Sequence, residues 1–150
     1  MILQEQTTLS DLYESDETAW LEAMAELVQQ GRWSELDYAH LEEYLNDMAR
    51  RDRREVESRL ATLLVHVLKW IHQPDHRSGS WRGTIIEQRH QLEGELGRGV
   101  LWNHAEAVLS KVYVRAVERA VAETELPASA FPAECPYTLE DLLSTEFPSM

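Results

Sequence analysis

Six residues on one stretch of the chain combine side chains that could do chemistry: Arg59, Thr62, His66, Lys69, Trp70 and Gln73. On a helix advancing about 100° per residue they share an arc of about 100°. That arc is centred about 120° from an apolar stripe made by Val56, Leu60, Leu63, Leu64, Val67 and Ile71. An amphipathic helix needs only solvated residues off its apolar face. Here the second stripe carries an imidazole, an ammonium, an indole and an amide, each able to donate hydrogen bonds. The mixture suits a polar pocket or a partner surface. A surface helix with Trp70 tucked under a neighbour accounts for the same pattern. The next helical segment adds Gln88 and Arg89, which fall at the angular level of Trp81, Ile85 and Leu92 rather than opposite them. Buried polar groups left unpaired cost roughly 1–3 kcal/mol each. Gln88 and Arg89 are therefore expected either to meet acids such as Glu42 or Glu43 or to line a cavity.

Three reaction types use residues of these kinds. Arg59 and His66 are two helical turns apart, and an Arg-x(4–6)-His arrangement resembles the motif of the helical HEPN ribonucleases of bacterial defence and toxin systems. There a histidine moves protons while an arginine steadies phosphate charge. That match is two residues at a spacing that recurs often by chance. Di-metal helical bundles use paired Glu-x-x-His motifs that project inward. Glu87-x-x-His90 and Asp37-x-x-His40 have the spacing, but His90 lies opposite Ile85 and His40 lies well away from Tyr38. Both histidines are expected to face water. His72 and His76 straddle Pro74, so they do not share a helix face. No metal and no cofactor are expected. No Gly-x-Ser-x-Gly nucleophile elbow is present either.

The elements that must position these residues are helical throughout. Ser15-Asp16-Glu17 opens a pattern of Trp20, Met24, Leu27 and Val28, which Gly31 closes. Asp37 caps a second helix with Tyr38, Leu41, Leu45 and Met48 on its apolar side. The third helix follows after a break near Ala49–Asp52, or continuously, and cannot run cleanly past Pro74. Gln73 to Ser80 reads as a loop. The fourth helix carries Trp81, Ile85, Leu92 and Leu96, and the fifth runs roughly from Val100 to Glu123. Beyond Leu126 four prolines preclude a long helix, and Thr138-x-x-Asp141 caps a short one over Leu139 to Ser144. Phe131, Tyr137, Leu142, Leu143 and Phe147 are costly to leave in water, so residues 126–150 are expected to wrap the bundle, while residues 1–10 are expected to be flexible. No segment alternates in two-residue steps. The fold class is all-α: one domain, a bundle of about five main helices with a proline-containing tail.

Composition narrows function mainly by exclusion. The 150 residues carry a net charge of −13, unevenly spread. Residues 1–49 hold 12 acids and one base, for −11, whereas residues 50–89 come to +4 and residues 90–150 to −6. Phosphates would be repelled at long range, so nucleic acid is not an expected partner. The N-terminal stretch lacks a basic segment followed by an apolar run, and the longest apolar run, around Leu63 to Leu68, is far short of the ~20 residues of a membrane span. One cysteine, Cys135, leaves no disulfide framework. A cytoplasmic protein is the expectation.

Several blocks of the chain resemble a known family. Leu36-Asp37, Leu41-Glu42-Glu43, Arg53-Arg54-Glu55-Val56-Glu57-Ser58-Arg59-Leu60 and His66-Val67-Leu68-Lys69-Trp70 occur in order. Gln73-Pro74, Ser80-Trp81-Arg82, Ile85-x-Glu87-Gln88-Arg89, Ala122-Glu123-Thr124 and Phe131-Pro132-x-x-Cys135-Pro136-Tyr137 follow. Together they resemble a bacterial family numbered twenty-nine among domains of unknown function, from about Asp11 to Phe147. The resemblance implies a stand-alone, cytoplasmic, helical bacterial protein with no established activity, and so it lends no catalytic residues. Family members often carry glycine and then serine where this chain has Ala49 and Arg51. Two functions follow as expectations. The first is a noncatalytic interaction module that binds another protein or itself. The second is an enzyme or ligand binder using Arg59, His66, Lys69, Trp70, Gln73, Gln88 and Arg89 across a polar cleft between the third and fourth helices.

Overall fold

The computed structural model describes residues 7–150. Among those residues it holds six α-helices, three short 3-10 turns and no strand. No helix of the described residues is long and apolar enough to cross a membrane. The chain forms two compact units, Met1–Arg50 and Arg51–Met150.

In the first unit, α1 (Leu9–Ser15) begins inside the stretch expected to be flexible, of which residues 1–6 lie outside the described residues. A reciprocal cap holds its start. The Thr8 hydroxyl accepts from the Asp11 amide at 3.1 Å, and the Asp11 carboxylate accepts from the Thr8 amide at 3.2 Å. Asp16 ends α1 and caps α2 (Glu17–Gln29), accepting from the Ala19 amide at 3.1 Å. Gly31, at φ +69°, then turns the chain out of the helix. Trp20 and Met24 are the buried apolar residues of α2. Tyr13 meets the Trp20 ring edge-on with centroids 4.9 Å apart, and Tyr44 lies 5.6 Å from it.

The second and third helices of the sequence reading are one: α3 is continuous over Tyr38–His72. No glycine or proline interrupts Ala49–Asp52, arginine is a good helix former, and Arg50 reaches back one turn to Asp47 at 3.0 Å. α3 contributes its first turns to the first unit and the remainder to the second. With α1 added and two expected helices fused, five principal helices precede the short C-terminal one.

In the second unit α3 is buried nearly all round. Leu63, Leu64, Val65, Val67, Leu68 and Trp70 leave little or nothing to solvent. It ends where Pro74 removes an amide donor. Ser78 caps α4 (Gly79–Leu96), accepting from the Trp81 amide at 3.2 Å. α5 (Val100–Thr124) closes with Glu125 in the left-handed region, just before Pro127. The tail carries Phe131, Leu139 and Leu142 into the core. Its helix α6 (Leu139–Leu143) has the expected cap, Thr138 with Asp141. The Tyr113 hydroxyl donates to the Pro132 carbonyl at 2.7 Å.

Candidate functional site

Because α3 is surrounded in the second unit, its second stripe lies against protein rather than water. Lys69 shows this best. Its ammonium sits 3.1 Å from a Glu123 carboxylate oxygen on α5 and 4.7 Å from the centre of the Trp81 ring on α4. The side chain is 12% exposed. One contact is an opposite charge and the other is the negative face of the indole. Burial pushes the Glu123 carboxyl up, but hydrogen bonds from Lys69 and Arg119 outweigh it and leave the group below its usual range. Arg119 bonds to Glu123 at 3.2 Å and also reaches the Thr62 hydroxyl at 3.4 Å.

His66 joins this group from one side. One ring nitrogen, Nδ1, lies 2.8 Å from the Thr62 carbonyl, a partner that can only accept, so Nδ1 carries the proton. Desolvation depresses the imidazole pKa, and the nearby cations Lys69 and Arg119 act in the same direction against the Thr62 bond and Glu123. The ring is thereby biased toward its neutral form.

The remaining members of the stripe serve separate contacts. Arg59 donates to Glu95 on α4 and Glu55 on its own helix, both at 2.9 Å, and to the Gln88 amide oxygen at 3.4 Å. Burial and the adjoining Glu55 raise the Glu95 carboxyl, whereas the Arg59 bond lowers Glu55. Asp52, Glu55, Glu95 and Leu101 line a shallow cleft of about 240 Å³ beside this network. Trp70 is buried, donates to the Ser149 carbonyl at 3.2 Å, and carries the Arg77 guanidinium 4.9 Å above its ring. Gln73 donates to the Thr124 carbonyl at 3.4 Å.

Arg89 is the buried charged residue of the core. Its guanidinium donates to two tail carbonyls, Leu142 at 3.3 Å and Phe147. Desolvation lowers its pKa against the pull of Glu93. The partners of Gln88 and Arg89 are thus Arg59 and the tail backbone, where the sequence suggested Glu42 or Glu43. Arg89 also borders a cleft of about 370 Å³ with Arg82, Ile86, His90, Glu93, Thr145 and Met150.

The structure brings His66 and Lys69 together with Arg119, Glu123 and Trp81. Arg59 and Gln88 form a second group, and Trp70, Gln73 and Arg89 hold the C-terminal segments. Glu55, Glu95, Arg119, Glu123 and Trp81 complete these groups, and the sequence reading named none of them as part of the site. The signal available was charge: each is a complementary group on a neighbouring helix, but pairing across helices has no spacing rule.

The first unit departs further from expectation. His40, expected to face water, is 19% exposed. It stacks on Tyr13 with centroids 4.2 Å apart and places Nδ1 2.8 Å from Asp37, whose carboxylate also accepts from the Trp20 indole at 3.2 Å. Burial raises the Asp37 pKa, and these hydrogen bonds more than reverse it. No cluster among the described residues could hold a metal ion. With His40 and Tyr44 turned toward α1 and α2, the stripe expected to be the apolar side of this helix is split: Leu41 and Met48 are partly buried, whereas Tyr38 and Leu45 stand outward. Tyr38 is 56% and Leu45 59% exposed, and Trp33, tied to Tyr38 by a hydroxyl-to-carbonyl hydrogen bond, is 57% exposed.

A family model described as Domain of unknown function DUF29 matches residues 12–148. No curated protein and no solved structure matches the chain.

Proposed function

We propose that this chain, which belongs to the DUF29 family, is a noncatalytic, cytoplasmic protein-interaction module. The observation that carries the reading is the outward stripe of the first unit. Three large apolar side chains, Trp33, Tyr38 and Leu45, stand more than half exposed on and beside one helix face. Exposed aromatic and aliphatic groups gathered on one face are the usual anchors of protein interfaces. The polar stripe of the second unit supports the same reading. Lys69, Arg59 and Arg89 are engaged by Glu123, by Glu55 and Glu95, and by tail carbonyls, so each already neutralises or ties down a neighbour. An enzymatic use of Arg59 or Lys69 would first have to break those contacts.

The test is recovery of the tagged full chain from its own cells, with sedimentation of the purified protein alongside. A protein recovered at a fixed ratio, or a concentration-dependent oligomer, is the expected result. A strictly monomeric chain recovered alone contradicts the proposal.

A further inference from the structure

The exposed stripe also carries information about its partner's chemistry. We infer that the face formed by Trp33, Tyr38, Leu41 and Leu45 binds a basic amphipathic helix of another protein. This inference rests on the interaction-module reading and adds to it the class of partner.

Apolar spacing comes first. Tyr38, Leu41 and Leu45 are separated by three and four residues and so run along one side of α3. Tyr38 and Leu45 are exposed, Leu41 is partly covered, and Trp33 extends the apolar surface beyond the helix start. A strip of this kind takes the apolar face of a partner helix, whose own anchors recur at the same steps.

Charge then selects among helices. Residues 33–49 contain Glu35, Asp37, Glu42, Glu43 and Asp47 and no lysine or arginine. The bases at either end are already held: Arg32 by Glu35 and Arg50 by Asp47. His40 lies between Asp37 and Glu14. Glu42 is exposed and adjoins the stripe one position past Leu41. Residues 1–50 hold 12 acids against the two bases Arg32 and Arg50, so the stretch that carries the apolar strip is net negative. An acidic helix would be repelled, and a second copy of this unit would bring the same charge against itself. A helix with lysine or arginine flanking its apolar anchors satisfies both features.

Two synthetic 18-residue peptides test this. Both carry leucine at three- and four-residue steps; one has lysine and the other glutamate at the flanking positions. Each is titrated calorimetrically into the full chain, into Tyr38→Ser/Leu45→Ser and into Glu42→Lys, at low and at physiological salt. The lysine peptide is expected to bind wild type and to weaken at least tenfold on Tyr38→Ser/Leu45→Ser. A loss of about threefold is expected on Glu42→Lys, and no binding of the glutamate peptide. Lysine-peptide binding that the stripe variant leaves unchanged would reduce the effect to bulk charge and overturn the inference. Equal binding of both peptides, no binding of either, or self-association that Tyr38→Ser/Leu45→Ser abolishes would also overturn it. A cellular partner lost from the stripe variant alongside any of those results would leave the interaction module standing and remove only the basic helix.

Discussion

The two units deploy similar side chains in opposite directions. The second unit has a broad apolar core and turns its unusual polar residues inward: Lys69 onto Glu123 and Trp81, Arg89 onto the tail, Arg59 onto two carboxylates. The first unit has Trp20 and Met24 as its buried apolar residues, places His40 and Asp37 around Trp20, and leaves Trp33, Tyr38 and Leu45 outside. The contrast teaches that a polar stripe on a helix is not evidence of a site, and an apolar stripe is not evidence of a core. What lies against the helix decides both.

The largest effect should come from breaking the smaller unit. Trp20→Ala removes its central ring, and large aromatic truncations cost about 3–5 kcal/mol. Amide exchange within Leu9–Gln29 should then rise to nearly unprotected rates, while Leu63 to Leu68 stay protected. Equal loss of protection in both stretches would show that the two are not separately held. Next in size, Arg89→Leu takes the donors from the Leu142 and Phe147 carbonyls, a loss of about 1–3 kcal/mol. Limited proteolysis should cut the variant within residues 139–150 and spare wild type.

Acidification should act on the second unit through its histidines. His66 and His72 both have pKa values lowered from 6.5, chiefly by desolvation. The unfolded chain therefore takes up protons first, so stability falls as pH drops below about 6.5 and continues down through the lowered values. The thermal midpoint should be lower at pH 5.5 than at pH 7.5, and the difference should shrink in His66→Asn. An identical difference in the variant would remove His66 from the account. The smallest effect on stability belongs to Tyr38→Ser with Leu45→Ser. Both side chains are exposed, so each change should fall within about 0.5 kcal/mol. Pronounced destabilisation there would mean that the stripe is part of the fold.

Much of this architecture was legible in the sequence. Helical periodicity gave the class, Ser15-Asp16-Glu17 the start of α2, Asp37 a cap, Pro74 the end of α3, and Thr138 with Asp141 the short C-terminal helix. α1 was missed because seven residues make too few turns to show a period, although Thr8-x-x-Asp11 already had the form of a cap. Continuity through Ala49–Asp52 was open in the sequence because Ala-Arg-Arg-Asp offers no large apolar residue to carry either stripe across. The site was less legible. Which face of α3 in the first unit turned inward depended on Tyr13 and Trp20 offering a ring and an indole donor to His40 and Asp37. Those contacts put His40 among the partly buried Leu41, Tyr44 and Met48 and left Tyr38 and Leu45 outside.

One experiment separates the units most directly: recovery of tagged wild type, Tyr38→Ser/Leu45→Ser and His66→Ala/Lys69→Ala from native cells, each confirmed folded by circular dichroism. Loss of the protein partner from the Tyr38/Leu45 variant alone is the predicted result. A partner retained by that variant and lost from His66→Ala/Lys69→Ala, or a small molecule lost only from the latter, would contradict the account and place function on the polar stripe.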